Sequence, residues 1–168
     1  RNFVITNAAG GLNKEFQVGD LMVINAYRDH LNPGFKETGL PPAVSVKATP
    51  CENDLTKKIL ELGASLSRED SEFKPLRAGC YVANLGPSYE SFAEVDMLPK
   101  LQAAAVGMSP VPELVTASKT GTTACGLSVI TNTWSEEIEL GGHEEVLRES
   151  KQASLRLDKL LTRLVKKL

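Results

Sequence analysis

The chain has 168 residues, with 42% hydrophobic and 24% charged side chains and a formal net charge of −2. This is the make-up of an ordinary globular protein able to bury a core. The near-neutral balance supplies no global field for nucleic acid or an anionic membrane surface, and no apolar run nears the ~18 residues of a membrane span.

The first predicted strand covers residues 3–6, short and β-branched, and it runs into the glycine-rich turn Asn7-Ala8-Ala9-Gly10-Gly11. The chain opens on this strand without an initiator methionine, which predicts a portion of a longer fold. Residues 21–24 (Leu-Met-Val-Ile) predict a second buried strand. From 26 to 50, Pro33, Gly34, Gly39, Pro41, Pro42 and Pro50 break every period, so a long loop is expected there. Leu55, Ile59, Leu62 and Leu66 stand at helical spacing behind Asn53 or Asp54 as cap, predicting a helix over 54–66. Residues 79–85 predict a strand closed by Gly86-Pro87. Ser88 then caps a helix reaching about Leu101, kinked or ended early by Pro99. A short strand over 103–108 and a helix over 112–119 follow, the helix with Pro112 in its first turn and Gly121 as its stop. Residues 127–131 predict another strand. A last helix from near His143 towards Leu168 carries the stripe Ala153, Leu157, Leu160, Leu161, Leu164 and Leu168. The alternation predicts an α/β fold, a mixed central sheet flanked by helices, as one domain over residues 1–168.

Three cysteines (Cys51, Cys80, Cys125) make no CxxC pair, and neither His30 nor His143 has a partner at metal-ligand spacing. They read as reduced, structural thiols in a cytoplasmic protein, and no metal site is expected. His30 beside Asp29 is either a simple ion pair or a catalytic group; the ion pair is favoured.

In open α/β sheets, ligands gather where loops leave strand ends. Four exits carry unusual residues. The Ala8-Ala9-Gly10-Gly11 segment lets backbone N–H groups approach an anion, or is a plain tight turn. Glu90, after Gly86-Pro87-Ser88-Tyr89, is a first-turn acid favoured by a helix dipole, or an acceptor for a heterocycle N–H. Asn132 is a turn residue, or an amide that donates and accepts at once to a ring with adjacent N–H and carbonyl. His143 is a helix-start residue, or a neutral partner for a hydroxyl. The fourth exit is Val106-Gly107-Met108-Ser109, a strand end with a small-residue turn. By themselves these residues point to an α/β domain that binds a small polar heterocycle or an anion.

Taken as an ordered set, they resemble purine nucleoside phosphorylases of the trimeric, 6-oxopurine-specific type. The resemblance is carried by Val4-Ile5-Thr6-Asn7-Ala8-Ala9-Gly10-Gly11-Leu12-Asn13, Val18-Gly19-Asp20-Leu21-Met22, Arg28-Asp29-His30-Leu31-Asn32, Gly86-Pro87-Ser88-Tyr89-Glu90, Ala93-Glu94, Val106-Gly107-Met108-Ser109, Val111-Pro112-Glu113, Ile130-Thr131-Asn132 and His143-Glu144-Glu145-Val146-Leu147. It implies a pentosyltransferase of purine salvage, cleaving inosine and guanosine with phosphate to free base and ribose 1-phosphate. On this resemblance Glu90 and Asn132 are the catalytic pair, holding the purine N1–H and the O6/N7 edge. Tyr89, Val106 and Gly107 complete the purine wall. Tyr89, Met108 and His143 meet the ribose, and Ala8 and Ser109 meet phosphate. It implies inorganic phosphate as co-substrate with no cofactor, no nucleic-acid or membrane partner, and a homotrimer.

The same resemblance sets two further expectations. The family's N-terminal part carries a serine, an arginine and a histidine for phosphate and a tyrosine for ribose, and this chain begins after them. Residues 1–168 alone are therefore expected to hold phosphate weakly and to leave a sheet edge or core face exposed. The segment after His30 is shorter than in the family and offers no equivalent of its cross-subunit phenylalanine, which leaves the trimeric assembly open. The alternative to the enzyme is a truncated member that binds purine or joins other subunits.

Overall fold

The computed structural model describes residues 1–31, 48–133 and 143–168. The expected loop over 26–50 lies largely outside the described residues. Its described ends are strand: residues 26–29 continue the second strand, and Thr49–Pro50 pairs with it.

Six strands form one mixed sheet: β1 (Asn2–Gly11), β2 (Leu21–Asp29), β3 (Thr49–Pro50), β4 (Arg77–Ala83), β5 (Ala105–Gly107) and β6 (Thr123–Thr133). Their order is β3-β2-β4-β5-β1-β6, and β2 also pairs with β6. That last pairing, antiparallel from Leu21↔Val129 to Ile24↔Gly126, closes β2, β4, β5, β1 and β6 into a ring. The predicted mixed sheet is therefore found, curled on itself. Ring closure removes most free edges, the exposed ladders that invite mispairing.

All five ring strands send side chains into one cluster, among them Ala9, Ile24, Tyr81, Ala105 and Ile130. Helix α3 (Val111–Lys119) adds Val111, Leu114 and Ala117 to the same cluster. Outside the ring, Val23, Cys125 and Leu127 meet Leu55, Ile59, Leu62 and Leu66 of helix α1 (Asp54–Glu69) and Leu160 and Leu164 of helix α4 (His143–Val165). The 3–4 spacing seen in the sequence is thus the buried stripe of each helix. Leu168 departs from it, being exposed beyond the end of α4.

Asn53 caps α1, its Oδ1 accepting from the amides of Leu55 and Thr56 at 2.9 and 3.2 Å, an arrangement that contributes about 1 kcal/mol. Its amide nitrogen donates to the Ala124 carbonyl at 2.7 Å, fastening the cap to β6. The helix expected from Ser88 starts later. Ser91 caps helix α2 (Phe92–Met97) in a capping box with Glu94, and Pro99 lies in the 3-10 turn Leu98–Leu101 that follows. Gly121 ends α3 as expected, at φ 66°.

All three cysteines are free. Burial, reinforced by neighbouring thiols, pushes Cys51 up to about 12, and burial pushes Cys125 up to about 11. These are inert packing groups. Two buried arginines escaped the sequence reading. Arg28 donates from Nε and Nη2 to the Leu101 carbonyl at 3.1 and 2.7 Å, holding the end of the 3-10 turn to β2. Arg156 donates to the Gly19 carbonyl at 2.6 Å, holding α4 to the turn before β2.

Helices α1 and α4 are also joined at the surface. Lys159 pairs with Asp70, and Arg163 with Glu69 at 2.9 Å. The Lys159 ammonium lowers Asp70, and the Ser65 hydroxyl together with Arg163 lowers Glu69. Carboxyls held below their unfolded values stabilise above the ordinary carboxylate range, and that stabilisation is lost as pH falls through the folded values. The melting temperature is therefore expected to drop as pH goes from about 5 to 3. Thermal melts of the Asp70→Asn, Glu69→Gln double variant should show a shallower drop; an unchanged slope removes the pairs from the acid sensitivity.

Candidate active site

The segment Asn7–Gly11, expected as a turn, is the second half of β1. It stays extended because β6 runs parallel along one edge of the whole segment and β5 pairs antiparallel with Gly10 and Gly11 on the other. Because β5 runs against β1, its exit at Gly107-Met108-Ser109 returns along the body of β1 rather than beyond its end.

The β1–β6 ladder pairs Ala9 with Ile130 but Gly10 with Asn132, so Thr131 is an extra residue on β6. Such a bulge reverses the alternation of the strand and re-aims the following side chain. The neighbours of the two glycines record the reversal. A Cβ on Gly11 would meet Ile130, whereas a Cβ on Gly10 would stand 3.2 Å from Asn132 Nδ2 and 3.6 Å from Val106. Ile130 and Asn132 are two apart, yet they face opposite sides. Asn132 is thereby turned away from the ring cluster and onto the Val106 face, and Thr131 donates to its Oδ1 at 3.2 Å.

Glu90 is half-buried in the loop between β4 and α2. It precedes the Ser91 cap and so is not a first-turn acid. Asn84 positions it by donating Nδ2–H to Oε1 at 3.2 Å, and the Asn84 backbone amide is held by the Gly107 carbonyl at 2.8 Å. The exits of β4 and β5 are thus tied together. Gly86 allows the same approach, since a Cβ there would collide with the Met108 sulfur.

Below these exits lies a polar hub. Asn7 accepts at Oδ1 from the Ser128 hydroxyl at 2.8 Å and donates from Nδ2 to Tyr81 Oη at 3.1 Å and to the Ser109 carbonyl at 2.8 Å. The fully buried Tyr81 hydroxyl donates to the same Ser109 carbonyl. Burial, with Glu90 adding its negative charge, pushes the Tyr81 phenol above its ordinary value, so it remains a neutral donor across the physiological range. A Cβ on Gly107 would collide with that hydroxyl, which explains a glycine in the middle of the site.

The model of the phosphorylase superfamily matches residues 1–166. The chain belongs to the phosphorylase superfamily. Among relatives, it is 38% identical to purine nucleoside phosphorylase of Bos taurus, over 96% of this chain and 58% of that protein. It is 33% identical to purine nucleoside phosphorylase 1 of Bacillus subtilis, over 96% of this chain and 59% of that protein. The fold is similar to that of Schistosoma mansoni purine nucleoside phosphorylase in complex with inosine, with TM-score 0.74 and 28% identity, covering 99% of this chain and 61% of that one. The chain thus spans about three-fifths of the length of these relatives.

Of the residues singled out in this superfamily member's sequence, Ala8, Val106, Gly107 and Asn132 lie on adjoining strands, Met108 and Ser109 follow in the β5–α3 connection, and Glu90 lies in the β4–α2 connection tied to it through Asn84. Tyr89 does not join them: its side chain is 87% exposed. His143 opens α4, and its side chain lies outside the described residues, as does the segment after Leu31 that bears on assembly. His30 makes no ion pair with Asp29 among the described residues. Asp29 accepts from the Leu31 amide at 2.9 Å, and His30 Nε2 is buried without a hydrogen-bond partner. No group of three or more His, Cys, Asp or Glu among the described residues is arranged to hold a metal, and no helix there is long and apolar enough to cross a membrane. Asn7, Tyr81, Asn84 and Ser128 were missed as site residues. The visible signal for Tyr81 was the one hydroxyl in β4.

Proposed function

We propose that this chain carries the base-reading half of a purine nucleoside phosphorylase, a pentosyltransferase acting on 6-oxopurine nucleosides such as inosine and guanosine. In the reaction the bond from C1′ to the purine nitrogen breaks and a bond from C1′ to a phosphate oxygen forms, giving free base and ribose 1-phosphate. The transition state is oxocarbenium-like, and negative charge flows into the departing purine. Groups aimed at that charge as it develops accelerate the step. Glu90 accepts from N1–H, and the Asn132 amide holds O6 and N7. Val106 and Gly107 wall the base. Tyr89, Met108 and His143 meet the ribose, with His143 on the 5′-hydroxyl. The Ala8 amide and Ser109 meet phosphate, which is a co-substrate; no cofactor is required. A cytoplasmic homotrimer completes the reading.

One observation carries this proposal. The Glu90 carboxylate is held by Asn84, whose backbone amide is tied to the Gly107 carbonyl, and the Asn132 amide is re-aimed by a bulge onto the face of Val106. That pairing offers an acceptor for a ring N–H beside a donor–acceptor pair for a carbonyl and its neighbour. The relatives named above support the same chemistry.

Inosine cleavage with and without phosphate tests it. Phosphate-dependent release of hypoxanthine is the expected result. Phosphate-independent release would identify a hydrolase instead. The same assay covers the alternative of a chain that binds purine without turnover. Retained hypoxanthine binding with no cleavage, lost in Glu90→Ala, would select it.

A further inference from the structure

Ser109 is exposed and sits in the short connection between β5 and α3, directly before Pro110, which restricts its backbone. Its carbonyl nevertheless receives two donors from the core, the Asn7 amide at 2.8 Å and the Tyr81 hydroxyl. A carbonyl oxygen has two lone pairs, and here both are engaged. The two donors are themselves linked, Asn7 Nδ2 to Tyr81 Oη at 3.1 Å, and Asn7 is anchored on its other side by Ser128. Three strands, β1, β4 and β6, thus hold one peptide plane of an exposed connection. The plane carries the Ser109 side chain, and the two hydrogens of Asn7 Nδ2 are shared among Ser109 O, Tyr81 Oη and the Ala8 carbonyl at 2.9 Å.

We propose that Asn7 and Tyr81 are positioning residues for the phosphate contact of Ser109, acting through its carbonyl without touching phosphate themselves. This rests on the reading of Ser109 given above. The buried hydroxyl is costly to leave without a partner, and Gly107 must lack a Cβ to accommodate it. Packing alone would be served by phenylalanine at position 81. The hydroxyl instead spends its proton on the one carbonyl whose placement governs Ser109.

The test is direct binding of inorganic phosphate by calorimetry, with hypoxanthine binding and thermal melting measured in parallel, on Tyr81→Phe, Asn7→Asp, Ser109→Ala and the Tyr81→Phe, Ser109→Ala pair. Asn7→Asp keeps the shape and removes the donors. Losing one donor is expected to weaken phosphate about tenfold, while hypoxanthine affinity falls by clearly less. In the pair, Tyr81→Phe should add little to Ser109→Ala, because both remove the same contact. Full additivity, unchanged phosphate affinity in Tyr81→Phe, or parallel losses of phosphate, hypoxanthine and melting temperature would overturn the inference. So would an unmodified chain that binds no phosphate at millimolar concentration. If phosphate binding falls as expected but inosine is never cleaved, the enzymatic reading fails and the positioning role stands.

Discussion

Hypoxanthine affinity should fall by about one to two orders of magnitude in Glu90→Ala, with the melting curve little changed. A hydrogen bond to an ionised acceptor contributes about 1.5–3 kcal/mol net, and each 1.4 kcal/mol is about tenfold in affinity. Glu90 fits that role because it is half-buried and already oriented by Asn84, so binding need not order it. It lies outside α2, whose capping box is made by Ser91 and Glu94, so its removal leaves the helix start intact. Titration calorimetry with hypoxanthine, beside a thermal melt, reads both quantities. Affinity within twofold of the unmodified chain would remove Glu90 from base recognition. Glu90→Gln separates charge from shape: an amide keeps the volume but offers a weaker acceptor, so it should fall between the two.

The second large effect is a change of preference. Asn132→Asp should move the ratio of adenosine to inosine turnover towards adenosine on the order of a hundredfold, the scale on which sites built around one hydrogen-bond pattern reject another. Asparagine offers a donor and an acceptor, which matches a 6-oxopurine. Ionised aspartate is acceptor-only, which opposes the carbonyl and favours an exocyclic amino group. The bulge at Thr131 turns this side chain to the Val106 face whichever residue stands there, because it is a property of the ladder. Competition between the two nucleosides in one assay gives the ratio directly. A ratio that stays put while total activity falls would make Asn132 a structural residue.

The centres of β1, β2, β4, β5 and β6 were legible because each is a short β-branched or apolar run, whereas β3 fell inside the expected loop; the helical stripes were legible because their period survives into the buried faces of α1 and α4. The turn expected at Asn7–Gly11 was not legible as a strand. Small residues and glycine carry no local preference for extension, and what holds them straight is the β6 ladder along the whole segment, joined at Gly10 and Gly11 by Val106 and Ala105. The late start of α2 was available in the sequence: Ser91 and Glu94 stand at capping-box spacing, and Ser88 drew the assignment only by coming first. Glu90 and Asn132 could be nominated from residue type and order. The bulge that aims one and the Asn84 amide that steers the other depend on register between distant segments. Arg28 and Arg156 escaped for the same reason, since their acceptors at Leu101 and Gly19 are far away in the chain.

The second half of β1 is part of a strand laddered to β6 along its length and to β5 at Gly10 and Gly11, with Asn7 cross-braced to Tyr81 and Ser128. Such a strand cannot be lengthened, shortened or shifted without reversing every side chain along it. The β4–α2 and β5–α3 connections are under no such restraint, and each is fastened by only a few polar contacts. In a lineage of such proteins, the route to new substrates therefore runs through those two connections. The rail that β1 provides would persist as a fixed origin from which each altered loop measures its reach.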